Sequence, residues 1–282
     1  KFCCHGLTMN SLTPFGEYSI TILAMTTCAL YLVNGVLAYR ALQGPTEQHQ
    51  PRSWSMSLGL LACTGHAWVL ALALFDGPEV SLGLIAMLSV TLFAMSLVIV
   101  LNHLRQSMHH LGQIVFPIGS LVVLLQWSLP DSGALRVNVP PTLSLHIVLS
   151  ILAYSVLALA ALQAIYLTFF DQKLKLKQPT QSLIPPIQTL DAILFESIWI
   201  GLTALSLSIL TGFLFMESMA VRGLLHHTIL TVMAWAVFVV LLWGRYQLGW
   251  RGSLAGGWTL AGFILLALGY FGSKFVVEVL LT

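Results

Sequence analysis

Three histidines stand at the start of long apolar segments, where an imidazole can do chemistry. His146 opens the segment 145–154, and the adjacent pair His226 and His227 opens another segment in the same way. A histidine placed there costs insertion free energy, and its ring can bind haem iron or another metal, or pass a proton. The alternative is that these rings only mark the boundary with water. The residues alone leave both interpretations open.

Other ionisable residues lie deeper in the apolar segments or near their ends. His66 stands near the middle of its segment, so it is either a functional group or a neutral imidazole hydrogen-bonded to a neighbouring helix. Glu196 is interpreted as a solvated helix-end residue or as a hydrogen-bond partner between helices. Lys274 and Glu278 are four residues apart and share a helix face, which predicts mutual neutralisation.

The composition identifies the elements that carry these residues. Of 282 residues, 57% are hydrophobic and only 8% are charged, whereas soluble domains have about 25% charged residues. Apolar runs recur along the chain, and their lengths are near the roughly 20 residues that a helix needs to cross a bilayer. They lack the alternation of apolar and polar residues that is typical of the strands of a membrane barrel. The sequence therefore predicts an all-α, polytopic membrane bundle that forms one transmembrane domain over residues 1–282. Its eight helices are expected near 18–39, 54–75, 80–101, 111–128, 142–170, 190–216, 226–247 and 257–281.

The basic residues predict the orientation of the bundle. Eight fall on one set of alternate connections and three on the other: Arg40, Arg52, Arg105, Lys173, Lys175, Lys177, Arg245 and Arg251 against Lys1, Arg136 and Arg222. The positive-inside rule assigns the larger set to the cytoplasm, so both termini are expected outside. His146, His226, His227, Lys274 and Glu278 then gather near the outer surface. Because the charges are dispersed over loops, they do not predict nucleic-acid binding.

The connections and cysteines add smaller expectations. The longest connection, 171–189, is basic and proline-containing, and is expected to be a solvated cytoplasmic loop that can dock a protein partner. Cys3-Cys4-His5 lacks the spacing of the C-x-x-C-H haem attachment motif. No cleavable signal peptide is apparent, so the first helix is expected to act as its own insertion signal. We find neither a nucleophile with a base partner nor H-E-x-x-H, and no enzyme activity is predicted.

Three stretches together resemble a known family. They are His146-x-x-x-Ser150-x-x-x-Tyr154, then His227-Thr228-x-x-Thr231 with Trp235 and Gly249-Trp250-Arg251-Gly252, and finally Leu268-Gly269-Tyr270-Phe271-Gly272-Ser273-Lys274-Phe275. They resemble the integral-membrane cytochrome c assembly superfamily of CcsA, CcmC and CcmF type, and within it the HemX/YpjD-like branch. The resemblance extends from about residue 54 to the end.

The resemblance implies a bacterial inner-membrane protein with haem as its cofactor. Members carry haem through or across the membrane and present it on the outer face for attachment to apocytochrome c. His146 matches their outward-facing axial ligand to haem iron, with His226, His227 and His66 as further candidates for cofactor binding. This chain departs from the family in one loop: the W-G-x-x-W-x-W-D type motif is replaced by the connection 217–225, which has no tryptophan.

Three functions follow as hypotheses. The first is haem binding or handling at the outer membrane face. The second is a non-catalytic scaffold or regulator of haem or tetrapyrrole metabolism that has lost haem handling and docks a membrane-protein partner through 171–189. The third is a transporter of small solutes or ions that uses His66, Glu196 and Lys274 as relay groups. The lipid bilayer surrounds the protein in each case.

Overall fold

The computed structural model describes residues 14–43, 52–76, 79–81, 83–102, 109–129, 136–137, 140–176, 186–215 and 225–272. In these residues eight helices are long and apolar enough to cross a membrane, which confirms the all-α fold class. They are α1 (Pro14–Gln43), α2 (Arg52–Leu74), α3 (Leu84–Asn102), α4 (His109–Ser128), α5 (Pro141–Lys175), α6 (Ile187–Phe215), α7 (Leu225–Gln247) and α8 (Gly252–Ala267). A π-helical segment, Leu268–Gly272, continues α8.

The chain divides into two compact units. Unit 1 comprises residues 1–41 and 48–139, with nearly all of α1 and the whole of α2, α3 and α4, and unit 2 comprises 42–47 and 140–282, with α5 to α8. The expectation of one transmembrane domain stays a prediction.

A small antiparallel sheet in unit 1 corrects the predicted start of the third helix. Its strands are β1 (Phe75–Asp76), β2 (Glu79–Ser81) and β3 (Arg136–Val137), in the order β1-β2-β3. Val80 pairs with Phe75 on one side and with Val137 on the other. The helix expected from residue 80 therefore begins only at Leu84. The pairing partner lies more than fifty residues away in the chain, so the local pattern gave no sign of it.

Two further predicted boundaries were wrong. The last helix was expected from 257 but begins at Gly252, because Gly249 and Gly252, at φ 68° and 59°, allow the chain to turn sharply between α7 and α8. The loop expected over 171–189 is shorter, since α5 continues through Lys175 and α6 begins at Ile187. A charged last turn is compatible with a helix that extends beyond the hydrocarbon core.

Unit 2 has one apolar core, to which α5, α6, α7 and α8 all contribute. Leu157, Ile198, Phe238 and Leu266 are each at most 2% exposed. Small residues permit the close approach: a Cβ at Gly201 would lie 2.7 Å from the side chain of Leu157, and one at Gly262 would lie 2.9 Å from that of Phe238. Packing through small residues is how membrane helices associate. This core fixes the positions of the polar residues at both ends of unit 2.

Candidate functional site

His146 lies five residues into α5, about 8 Å from the start of that helix at 1.5 Å per residue. Its half-buried ring faces the last two turns of α6. Nδ1 is 2.9 Å from the carbonyl oxygen of Ser208 and 3.3 Å from the hydroxyl of Thr211. Gly212 leaves room for the ring, because a Cβ there would come within 3.2 Å of its Cε1 atom.

These contacts decide which nitrogen of His146 carries the proton. A carbonyl oxygen only accepts hydrogen bonds, so Nδ1 must donate to Ser208. In the neutral imidazole the lone pair then belongs to Nε2, for which the described residues supply no hydrogen-bond partner. Histidines that bind metals typically donate their other ring N–H to a carbonyl or carboxylate in this way. His146 is thus oriented as an iron ligand would be.

The first resemblance motif occupies one face of α5. Ser150, one turn after His146, donates to the backbone oxygen of His146 and lies 2.6 Å from the hydroxyl of Ser208. Tyr154, a further turn along, donates its hydroxyl to the backbone oxygen of Leu266 in α8. The spacing of four residues therefore fastens α5 to α6 at its first two positions and to α8 at the third.

An aromatic cluster surrounds Tyr154. Its ring lies 6.0 Å from that of Phe263, 5.8 Å from that of Tyr270 and 5.5 Å from that of Phe271, measured between centroids. The ring of His227, in the first turn of α7, lies 6.1 Å from that of Tyr270. Four helical elements of unit 2 thus bring two imidazoles and four aromatic rings to one end, and we call this set the histidine–aromatic site.

The remaining residues predicted at this end have different outcomes. His226 lies in α7, but its side chain is outside the described set. Lys274, Glu278 and residues 217–224 of the connection 217–225 also lie outside the described residues. Glu196 is exposed on α6.

Tryptophans near the ends of the helices also differ from one another in exposure. Trp54 and Trp243 are 67% and 58% exposed. Trp250, by contrast, is half-buried and stacks on Trp258 at 5.3 Å between ring centroids.

His66 belongs to unit 1 and has a different environment. It is fully buried, and both ring nitrogens are occupied: Nδ1 lies 2.9 Å from the hydroxyl of Tyr31 and Nε2 lies 2.9 Å from that of Ser89. No lone pair remains for a metal in this arrangement. Its position in the middle of an apolar segment identified His66 as a candidate, but only its hydrogen-bond partners distinguish it chemically from His146.

Several residues in or beside the histidine–aromatic site were not identified from the sequence as functional candidates. The carbonyl of Ser208 and the hydroxyl of Thr211 are 62 and 65 residues from His146 in the chain. Tyr270 and Phe271 belonged to a resemblance motif, yet no role was assigned to them. The one available signal was Ser-x-x-Thr near the predicted outer end of an apolar helix, which is common in membrane proteins and therefore weak.

The opposite end of unit 2 is charged. Arg245 forms an ion pair with Asp191 at 2.7 Å, donates to the backbone oxygen of Trp250 at 3.2 Å, and lies 4.3 Å from the centre of the Phe195 ring. A cleft of about 460 Å³ opens beside this pair. Asp171 and Lys175 also line it, and they pair with each other at 2.7 Å. The charges of this end are largely paired, so they stabilise the helix ends.

Comparisons with known proteins agree with this organisation. The chain matches the family described as Cytochrome C assembly protein over residues 53–281. It is 32% identical to the inner membrane protein YpjD of Escherichia coli K12 over 168 residues, which are 59% of this chain and 64% of that relative. The match therefore spans less than two thirds of the length of YpjD.

A second relative gives a longer match. It is an uncharacterized 28.8 kDa protein of Azospirillum brasilense, 29% identical over 209 residues, which are 71% of this chain and 76% of the relative. No solved structure matches the chain significantly. With eight helices fit to cross a bilayer and a relative named as an inner membrane protein, the chain is a multi-pass inner membrane protein. The family match covers most of the chain and all of α3 to α8, and the chain belongs to the cytochrome c assembly protein family.

Proposed function

We propose that this protein binds haem at the histidine–aromatic site and handles it at the outer membrane face. The observation that carries the proposal is the orientation of His146, whose Nδ1–H is held by the carbonyl of Ser208 while Nε2 is left without a partner among the described residues. Haem suits such a site, because the porphyrin supplies four ligands and the protein needs to supply only one or two. The described part of unit 2 provides separate imidazoles. The described residues contain no group of three or more His, Cys, Asp or Glu side chains that could hold a metal ion without a porphyrin.

The aromatic rings support a flat, apolar ligand. Tyr154 lies about two helical turns from His146 on α5, and the rings of Phe263, Tyr270 and Phe271 pack within 6.0 Å of its ring. Aromatic side chains bury large apolar areas and prefer stacked or edge-on contacts with other π systems. In this chain the aromatic rings belong to helices, whereas in the family that the sequence resembles a tryptophan-rich loop is expected to contact the porphyrin. The proposal therefore assigns the stacking role to α5 and to the end of α8.

Each residue has a separate task in this proposal. His146 would hold the haem iron through Nε2, and the Ser208 carbonyl fixes the orientation of the ring by accepting from Nδ1–H. His227, whose ring lies 6.1 Å from that of Tyr270, would be the second residue able to hold the iron. When bound, haem supplies a redox-active iron, and the surrounding rings limit the access of water to it.

The test is the absorption spectrum of the purified protein. The chain is expressed with a haem precursor, purified in detergent, and scanned for a Soret band. We expect a band that His146→Gly removes and that added imidazole restores, because free imidazole replaces the lost ligand. Ser144→Ala is the matched control on α5, since the Ser144 hydroxyl donates only to the backbone oxygen of Pro140.

The rescue separates loss of the ligand from loss of the fold. A protein that elutes as a folded monodisperse species but has no Soret band contradicts haem binding. A band that His146→Gly leaves unchanged contradicts the assignment of His146.

A second function is favoured by one feature of the sequence. The connection 217–225 has no tryptophan, so a regulator or scaffold that retains the fold without handling haem fits the chain as well. Such a protein needs a partner, and our candidate for docking it is the connection 171–189, of which the segment 177–185 lies outside the described residues. Crosslinking in membranes tests this: we expect an adduct that is lost when the segment is replaced by Gly and Ser, and an unchanged adduct pattern contradicts the role.

A further inference from the structure

A buried hydrogen-bonded chain runs through unit 1. Tyr31, His66 and Ser89, from α1, α2 and α3, are all 0% exposed. The Tyr31 hydroxyl lies 2.9 Å from Nδ1 of His66, whose Nε2 lies 2.9 Å from the hydroxyl of Ser89. Ser89 in turn donates to Oε1 of Gln126 on α4 at 2.5 Å. Each of the four helices thus contributes one polar side chain.

The direction of each proton follows from the last link. Ser89 has one proton and gives it to Gln126, so it must accept from His66 and Nε2 carries hydrogen. Nδ1 of the neutral ring then accepts from the Tyr31 hydroxyl. All three bonds point the same way, from Tyr31 towards Gln126, which is the arrangement that permits a concerted shift of protons.

The polar line continues past Tyr31 towards the other end of unit 1. Asn34 lies one turn further along α1 and is 1% exposed, and its Oδ1 is 3.5 Å from the hydroxyl of Ser55. A cavity of about 10 Å³ beside Ser55 is lined also by Ala38 and Phe116. That volume is near the minimum for one water molecule. We call Gln126, Ser89, His66, Tyr31, Asn34 and Ser55 the unit 1 seam.

Two atoms of the seam indicate that water completes it. Nδ2 of Asn34 and Nε2 of Gln126 are buried and have no hydrogen-bond partner among the described residues. An unpaired buried amide is costly, and in native proteins such groups are normally satisfied, often by internal water. The two amides lie on either side of the Tyr31–His66–Ser89 chain, so the places for water are where protons would arrive and leave.

The seam reaches from one end of the helices to the other. Ser55 is three residues after the start of α2, and Gln126 is two residues before the end of α4. Ser55 and His66 alone are separated by about 16 Å along α2. Polar residues at this depth are expensive to insert, and packing alone would be served as well by apolar side chains.

We propose that the unit 1 seam conducts protons across the bilayer, with His66 as its central relay. In one step the Tyr31 proton moves to Nδ1 of His66, the Nε2 proton of His66 moves to Ser89, and the Ser89 proton moves to Oε1 of Gln126. The Gln126 amide then releases a proton from its Nε2 to a water beside it. A water on the Asn34 side returns a proton to Tyr31, so every group gains and loses one. Rotation of the hydroxyls and the return of His66 to its Nε2–H tautomer and of Gln126 to its amide form restore the original directions. All six residues belong to unit 1, so this proposal does not depend on haem binding in unit 2.

Proton flux into liposomes tests the proposal. The full chain is reconstituted with a pH-sensitive dye inside, and a potassium diffusion potential drives protons inward. We expect acidification faster than in protein-free liposomes, reduced at least tenfold by His66→Ala and by Tyr31→Phe. Tyr31→Phe keeps the ring that stacks at 6.0 Å on Phe116, so the bundle is expected to fold.

Thr64→Ala is the matched control. Thr64 lies on the exposed face of α2, two residues before the buried His66. Its hydroxyl donates only to the backbone oxygen of Leu61. The control should conduct like the original protein. Flux no greater than in protein-free liposomes overturns the proposal, and so does flux that Tyr31→Phe leaves unchanged in a folded protein. If His66→Ala does not fold, Tyr31→Phe and Ser89→Ala decide the result.

Discussion

The half-buried His146 and the buried His66 differ in whether a ring nitrogen is available to bind a ligand. The ring of His146 has one nitrogen held by a carbonyl oxygen and one without a partner among the described residues. The ring of His66 has both nitrogens held by hydroxyls. A carbonyl fixes one tautomer, whereas hydroxyls can donate or accept and so allow both. This difference is why we propose ligand chemistry for His146 and proton chemistry for His66.

The space beside His146 gives a residue-scale prediction. A Cβ at Gly212 would lie 3.2 Å from Cε1 and 3.5 Å from Nδ1 of His146, closer than ordinary packing. Gly212→Ala should therefore tilt the imidazole and lower the affinity for haem several-fold, with little change in the melting temperature. Titration of the purified apoprotein with haemin measures the affinity. Equal affinities would show that the ring position does not matter.

The ion pair of Asp191 and Arg245 gives a second prediction at the scale of single residues. The two side chains are 10% and 21% exposed, so Arg245→Gln leaves a poorly solvated carboxylate and should cost about 3 to 5 kcal/mol. The double variant with Asp191→Asn should regain part of the loss. Lys175→Gln is the control, since that lysine is 67% exposed and its pair is worth at most about 1 kcal/mol. Unfolding in detergent measures all three, and equal effects of the single variants would contradict the argument.

At the scale of elements, small residues determine how closely α5 and α8 pack. Gly256 and Gly257 are neighbours on α8, yet only the first faces α5. A Cβ at Gly256 would lie 2.7 Å from the hydroxyl of Thr168 and 3.4 Å from the backbone oxygen of Ala164, while one at Gly257 would meet nothing within 4 Å. Thr168 is held by its own bond to Ala164 and cannot move away freely.

The two glycines therefore predict opposite effects on stability. Gly256→Ala should destabilise the protein by about 1 to 3 kcal/mol, because it forces α5 and α8 apart. Gly257→Ala should be neutral or stabilise by up to about 1 kcal/mol, because alanine is the better helix former. Thermal unfolding of the two variants in the same detergent gives the comparison, and similar melting temperatures would mean that this contact does not limit the packing.

At the scale of the whole molecule, the distribution of basic residues predicts that both termini lie outside and that the His146 end of unit 2 faces the same side. Cysteine labelling on intact cells tests this in a chain whose four native cysteines are replaced. Ser132→Cys should react with a membrane-impermeant maleimide, whereas Ser182→Cys should react only after the cells are opened. The reverse pattern would place His146 at the cytoplasmic end and would contradict haem presentation at the outer face.

The fold was largely predictable from the sequence, and the errors are informative. Eight apolar runs gave eight helices, because a chain in a bilayer must satisfy its backbone hydrogen bonds within each segment. Boundaries failed where distant residues intervene, as when the pairing of Val80 with Val137 starts α3 late. The site was predictable only in part: His146 stood out as an imidazole in an apolar run, while its partners on α6 did not.

The amino-acid sequence by itself determined the membrane class, the number of helices and the few polar residues that an apolar chain retains, because insertion into lipid is decided segment by segment. It could not determine what those residues do. The nitrogen of His146 that has no partner among the described residues, the hydrogen bonds around His66 and the aromatic rings beside His227 all depend on contacts between helices far apart in the chain. Only tertiary packing sets such distances, and a hydrogen bond depends on distances of tenths of an ångström.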